Sequence, residues 1–222
     1  MSDPGRRDLL LVALTFSAGA VDAVALIALN VFTAVMTGNL VLLGVAIGHA
    51  AVQNAVRSSI ALTAYVVGVL AGARIVGATA SGAVWPAHAT RALAIEWALL
   101  AAFFVSWIAP GARPEGAAAG ALIAVSGLAM GLQATTTRSI APGLSTTYVT
   151  GTLTSLLSEL SALGNVGADA ARRGIIVLAL LAGAVTGAIV LVGAPLFAPA
   201  VPLIAVGSVV VVAQRRFRET QL

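Results

Sequence analysis

Residues 31–51 read VFTAVMTGNLVLLGVAIGHAA, and residues 139–164 read SIAPGLSTTYVTGTLTSLLSELSALG. Both stretches are apolar enough to enter a bilayer. Each is interrupted near its middle, by Thr37-Gly38-Asn39 in the first and by Thr150-Gly151-Thr152 in the second. Backbone that leaves helical geometry at membrane depth must be buried in protein or line a cavity, so both are expected to be broken or re-entrant helices. An offset of 113 aligns Ile27-Ala28 with Ile140-Ala141, Thr33 with Thr146, Thr37-Gly38 with Thr150-Gly151, Leu40 with Leu153 and Leu43 with Leu156. That is seven identities in 17 columns. The neighbouring segments follow: Gly19 aligns with Gly131 at offset 112, and Gly68/Gly72 with Gly183/Gly187 at offset 115. The chain reads as an internal duplication.

Composition places this duplication in a membrane. Of 222 residues 59% are hydrophobic and 9% charged, with mean hydropathy +1.03, against roughly 45–50% apolar and 25% charged in a soluble domain. So few charges cannot cover a soluble surface, which excludes a soluble enzyme. Apolar runs at 9–29, 58–78, 92–109, 116–133, 174–194 and 197–213 predict six spans of about 20 residues. Trp85-Pro86, Pro110-Gly111 and Ala194-Pro195 mark breaks between them. Three spans per copy is an odd number, so the second copy must lie upside down relative to the first, as in many secondary transporters. The expected fold is an all-α polytopic membrane protein, one membrane domain over 1–222, built from inverted three-helix repeats at 9–109 and 116–213. If both interrupted stretches cross fully, there are instead eight spans in two parallel halves. The relative polarity of 139–164 favours six.

All 12 basic residues are arginines, set against 8 acidic ones. They fall between apolar runs, so a pI near 11.0 reflects the charge bias of cytoplasmic loops and not nucleic-acid binding. Six spans with both termini cytoplasmic put ten arginines inside and leave Arg57 and Arg113 outside; eight spans give nine to three. Arg6-Arg7, then Asp8 and LLLVALTFSAGA, resembles a signal peptide, but the apolar run continues to Leu29, and we read an uncleaved first helix. The expected location is the bacterial inner membrane.

Asp22 lies two-thirds along the first span, where a carboxylate costs roughly 2.5–3.5 kcal/mol on insertion scales. It is the principal candidate ion or substrate group, with a structural bond to Arg74, Arg138 or a helix end as the alternative. Thr37, Gly38 and Asn39, with Thr150, Gly151 and Thr152, are candidate half-helix starts, whose free N–H groups and positive dipole ends suit an anion; the alternative is that they only cap two packed helices. Gln133 and the run Thr135–Arg138 end the predicted fourth span. There Gln133 and Arg138 are further candidates, against the reading of a capped terminus. Glu159 is a second ionisable candidate or an interfacial residue, and Glu96 reads as interfacial. The GxxxG pairs serve packing within the monomer or homo-oligomer formation. His49 and His88 fall at membrane edges. There are no cysteines, no HExxH or Ser/His arrangement, and no phosphate-binding or dinucleotide fingerprint, so we expect no catalytic residues, metal or cofactor.

The segments GAVDA (19–23), VFTAVMTGN (31–39) and TTYVTGTLT (146–154) resemble the YoaK-like family of bacterial transmembrane proteins, a domain of unknown function. The resemblance covers nearly the whole chain. Where the family pattern places an Asn after the Gln of the second half, this chain has Ala134. The resemblance implies a polytopic inner-membrane protein and supplies no substrate. The duplication, broken helices and buried polar groups point to a small-molecule or ion secondary transporter or permease. The alternative is a non-transporting membrane scaffold or assembly protein. A polar cavity reaching Asp22 and both TG motifs discriminates the two.

Overall fold

The computed structural model describes residues 3–77, 84–109, 111–141 and 168–217, with residues 151, 153, 154, 157 and 158 in addition. The described residues are helical or irregular, with no strand among them. The helices are α1 (Asp3–Leu29), α2 (Met36–Gly48), α3 (Val52–Val76), α4 (Ala87–Ile108), α5 (Gly116–Ile140), α6 (Ala168–Gly193) and α7 (Ala200–Phe217), with a 3-10 turn at Pro195–Phe197 before α7. Six stretches are long and apolar enough to cross a membrane; α2, with 13 residues, is too short. The protein is a multi-pass membrane protein.

The helices stop where the sequence supplies a left-handed residue or a proline. Asn30 takes φ 58 after α1, and its N–H bonds to the Leu26 carbonyl. Gly77 takes φ 70 after α3, and Pro86 precedes the first residue of α4.

Contacts between helix ends fix the order of crossings. Arg57 at the start of α3 donates to the Leu29 carbonyl at the end of α1 (3.3 Å), so the chain re-enters α3 on the face where α1 left it. Trp107 at the end of α4 donates to the Pro195 carbonyl (2.9 Å) on that same face, where Leu29, Trp107, Ala119 and Ala198 share one apolar cluster. On the opposite face Trp85 stacks on Phe217 with centroids 5.2 Å apart, and Asp8 at the start of α1 pairs with Arg172 at the start of α6 (2.6 Å). Ile140 at the end of α5 packs with Leu10, Trp85 and Phe217 there. The six long helices therefore alternate in direction, and α2 returns to the face from which it came.

In a bilayer the lipid is as apolar as the core, so helices associate through close packing and polar contacts. Two parallel helix pairs do this through glycine. A Cβ on Gly19 of α1 would strike the Leu180 carbonyl of α6, and one on Gly183 would strike the Phe16 carbonyl in return. In the other pair a Cβ on Gly131 of α5 would strike the Tyr65 carbonyl of α3, and one on Gly68 would strike the Leu128 carbonyl. The outer faces stay apolar and exposed, with Leu178, Leu181, Val185 and Ile189 on α6 and Leu40, Val41, Val45 and Ile47 on α2.

Candidate functional site

Asp22 stands seven residues before the end of α1, about 10 Å along the helix axis from Leu29. Its side chain is buried, and segment 30–35 turns back over it. Oδ1 accepts from the backbone N–H of Thr33 (2.6 Å) and of Ala34 (2.7 Å) and from the Thr33 hydroxyl (3.2 Å); Oδ2 accepts from the Val35 N–H (3.2 Å). These are the amides that precede the first turn of α2. The carboxylate thus binds the amides of the turn that leads into α2, the last of them that of the N-cap residue Val35.

Asn39 closes the same turn from inside. Its Oδ1 accepts from the Phe32 N–H (2.9 Å) and its Nδ2 donates to the Phe32 carbonyl (2.6 Å), a side-chain copy of a strand-like pairing. Gly38 lies under the Phe32 ring, where a Cβ would come within 2.8 Å of ring carbon. Thr37 is exposed. The N–H groups of Gly38 and Asn39 themselves bond to the Val35 carbonyl, while Asp22 takes the three amides before them. The alternative bonds from Asp22 to Arg74 or Arg138 do not form, since both arginines are exposed in the last turns of α3 and α5, at the opposite face.

Gln133 belongs elsewhere. The helix predicted to stop there runs on to Ile140, which leaves Gln133 seven residues from the end of α5 on the opposite membrane face from the end of α1. Its Nε2 donates to Oε1 of Glu96 on α4 (2.8 Å), and both side chains are fully buried. This overturns the interfacial reading of Glu96. The third span begins at Ala87, not Ala92, so Glu96 is the tenth residue of α4. The signal was in the spacing: Ala89, Leu93, Glu96, Leu100, Phe103 and Trp107, at intervals of four and three, are all buried, and Glu96 sits on that stripe.

The hydroxyls after Gln133 turn back onto helix carbonyls. Thr136 and Thr137 bond back to the carbonyls of Leu132 and Gln133, and Thr135 is shared between Gly131 and Val69 of α3. Arg138 is exposed beside them. Thr150, Thr152 and Glu159 lie outside the described residues. Gly151 is exposed with open space around it. The structure therefore gathers Asp22, Gly38 and Asn39 in one turn, and Gln133 with Glu96 in another place.

Two apolar grooves open on the outer surface. One, of about 720 Å³, runs between α2 and α3 and is lined by residues such as Ala46, Val56 and Ile60; the other, of about 620 Å³, lies between α1, α6 and α7 with Arg6 and Arg216 at its rim. Neither is lined by Asp22, Asn39, Glu96 or Gln133. Among the described residues no cluster of His, Cys, Asp or Glu has metal-binding geometry.

Residues 10–213 match the family model described as "Protein of unknown function (DUF1275)". Over 163 residues the chain is 37% identical to the UPF0700 transmembrane protein YoaK of Bacillus subtilis (strain 168), spanning 72% of this chain and 70% of that one. No solved structure matches the chain.

Proposed function

The chain belongs to that family of transmembrane proteins of unknown function, and from this premise we propose that it is a small secondary transporter of the bacterial inner membrane, built as two inverted repeats. The observation that carries the reading is the reciprocal glycine packing. Phe16 and Gly19 correspond to Leu128 and Gly131 at offset 112, and Tyr65 and Gly68 to Leu180 and Gly183 at offset 115. The contacts Gly19 with Leu180 and Phe16 with Gly183 are thus repeated, residue for residue, as Gly131 with Tyr65 and Leu128 with Gly68. Since α1 and α5 run in opposite directions, the two copies are upside down relative to each other. Such symmetry supports a rocking pair of bundles, each holding one parallel helix from either copy. On this reading the Thr37-Gly38-Asn39 segment is a re-entrant helix held in a closed position by Asp22.

The substrate is a small molecule or ion, and no catalytic residue, metal or cofactor is assigned. A second reading, a membrane scaffold, is favoured by one observation: Asp22 and Asn39 spend their hydrogen bonds on their own chain. The experiment that separates the two uses the absence of native cysteine. Thr37→Cys and Thr150→Cys are probed with a membrane-impermeant thiol reagent from each side of inside-out and right-side-out vesicles. A transporter shows reactivity at both positions that changes with a metabolite or ion from a screened panel. Reactivity that no panel member alters, at either position, returns the scaffold reading.

A further inference from the structure

Glu96 and Gln133 meet across the α4–α5 contact with one bond made and one missing. Gln133 Nε2 donates to Glu96 Oε1 (2.8 Å), while Glu96 Oε2 and Gln133 Oε1 are both buried without a hydrogen-bond partner among the described residues. Two buried acceptors lack a donor, on helix faces where Leu93 and Leu100 flank Glu96 and Ala129 and Met130 precede Gln133 by one turn, all of them buried. Turning the amide over does not help, since its oxygen would then face a carboxylate oxygen. One hydrogen on Glu96 Oε2 resolves both atoms. A carboxylic acid is a donor beside an acceptor, the mirror of the amide's acceptor beside a donor, and the two close a ring of two hydrogen bonds.

We propose that Glu96 and Gln133 form an intramembrane proton-binding site in which the carboxyl holds a proton on Oε2 and donates it to Gln133 Oε1. A metal cation does not fit this site, because hard cations take about six or more oxygen ligands and the two side chains offer three oxygens, one of them already accepting from Gln133 Nε2. Among the described residues the side-chain hydrogen bond to Glu96 comes from neutral Gln133. Arg91 on α4, Arg74 on α3, Arg138 on α5 and Arg215 and Arg216 on α7 are exposed, and α1 carries Arg6, Arg7 and Asp8 at its first turns, with Asp22 toward the opposite end. Asp8 pairs with Arg7 and Arg172 at the start of α1 and α6. The inference holds whether or not the bundle transports; in a transporter the pair is the station for a coupling proton.

Infrared difference spectroscopy of the protein in nanodiscs at neutral pH tests it. Wild type is expected to show a carbonyl band of a carboxylic acid that shifts in heavy water and is missing from Glu96→Gln. Gln133→Leu removes the amide partner while keeping the acid, so its band is expected to remain and to move to the higher frequency of a less hydrogen-bonded carbonyl. Glu96→Gln is expected to keep the thermal midpoint of wild type, because an amide facing an amide closes the same ring. The proposal fails if Glu96→Gln removes only carboxylate bands, or if Gln133→Leu leaves every acid band in place unchanged.

Discussion

Asp22 shows how one side chain sets the course of the backbone. Its two oxygens accept four hydrogen bonds, three of them from consecutive amides, and Asn39 ties down the residue just before them. Replacing Asp22 by Asn leaves one acceptor oxygen and turns an NH2 group toward the Val35 N–H, donor against donor. We expect Asp22→Asn to lower stability by about 1–3 kcal/mol, the cost of a buried unpaired donor, and Asp22→Ala by more, both read as thermal unfolding in nanodiscs. Asn39→Asp cannot donate to the Phe32 carbonyl and places a second carboxylate beside Asp22; the same measurement should show a loss of at least about 1 kcal/mol. Unchanged midpoints in all three would show that the turn is not held by these bonds. The depth of Asp22 was legible in the sequence, because a carboxylate inside an apolar run demands partners. The partners were not, because backbone amides carry no residue signature, and the nearest cations by type, Arg74 and Arg138, lie at the other face.

At the scale of elements, the spans were legible as apolar runs, but their ends depend on caps that a hydropathy window does not see. Pro86 starts α4 five residues earlier than the run, which moves Glu96 from the interface to the buried stripe. Thr135–Arg138, polar by composition, stays helical because each threonine returns its hydroxyl to a carbonyl of its own helix, so α5 reaches Ile140. The glycines were legible as a spacing, and the structure adds what they touch. Gly131→Ala and Gly183→Ala put a methyl group into a carbonyl of the neighbouring helix, and each should cost about 1–3 kcal/mol by overpacking. Gly44→Ala on α2 meets nothing within 4 Å and should be neutral or stabilising by up to about 1 kcal/mol through helix propensity. Thermal unfolding of the three variants checks the contrast. Equal effects at all three would remove close helix approach as the reason for the glycines.

At the scale of the whole molecule, charge is compatible with six crossings or eight, ten arginines against two or nine against three, and the packing of the helix ends agrees with the six-crossing split. The helix-end contacts put Arg57 and Arg113 on one face. Arg6, Arg7, Arg74, Arg91, Arg138, Arg172, Arg173, Arg215 and Arg216 lie on the other, with Arg218 outside the described residues. Nothing in a contact between helix ends depends on the distribution of arginine, so their agreement is not circular. The arginine-rich face is expected to be cytoplasmic, because basic loops are retained there during insertion. Single-cysteine variants in this cysteine-free chain make the expectation measurable without altering any arginine. Gln53→Cys and Glu115→Cys, both exposed, should react with an impermeant maleimide on intact cells. His88→Cys and Gln214→Cys, also exposed, should react only after the membrane is opened. The pair that decides is Gln53 with Gln214. Six crossings place them on opposite faces, because α2 turns back after Asp22 anchors its start. Were α2 and its counterpart in 139–164 to cross fully, Gln53 would label on the same side as Gln214, and the turn held by Asp22 would not exist in the membrane.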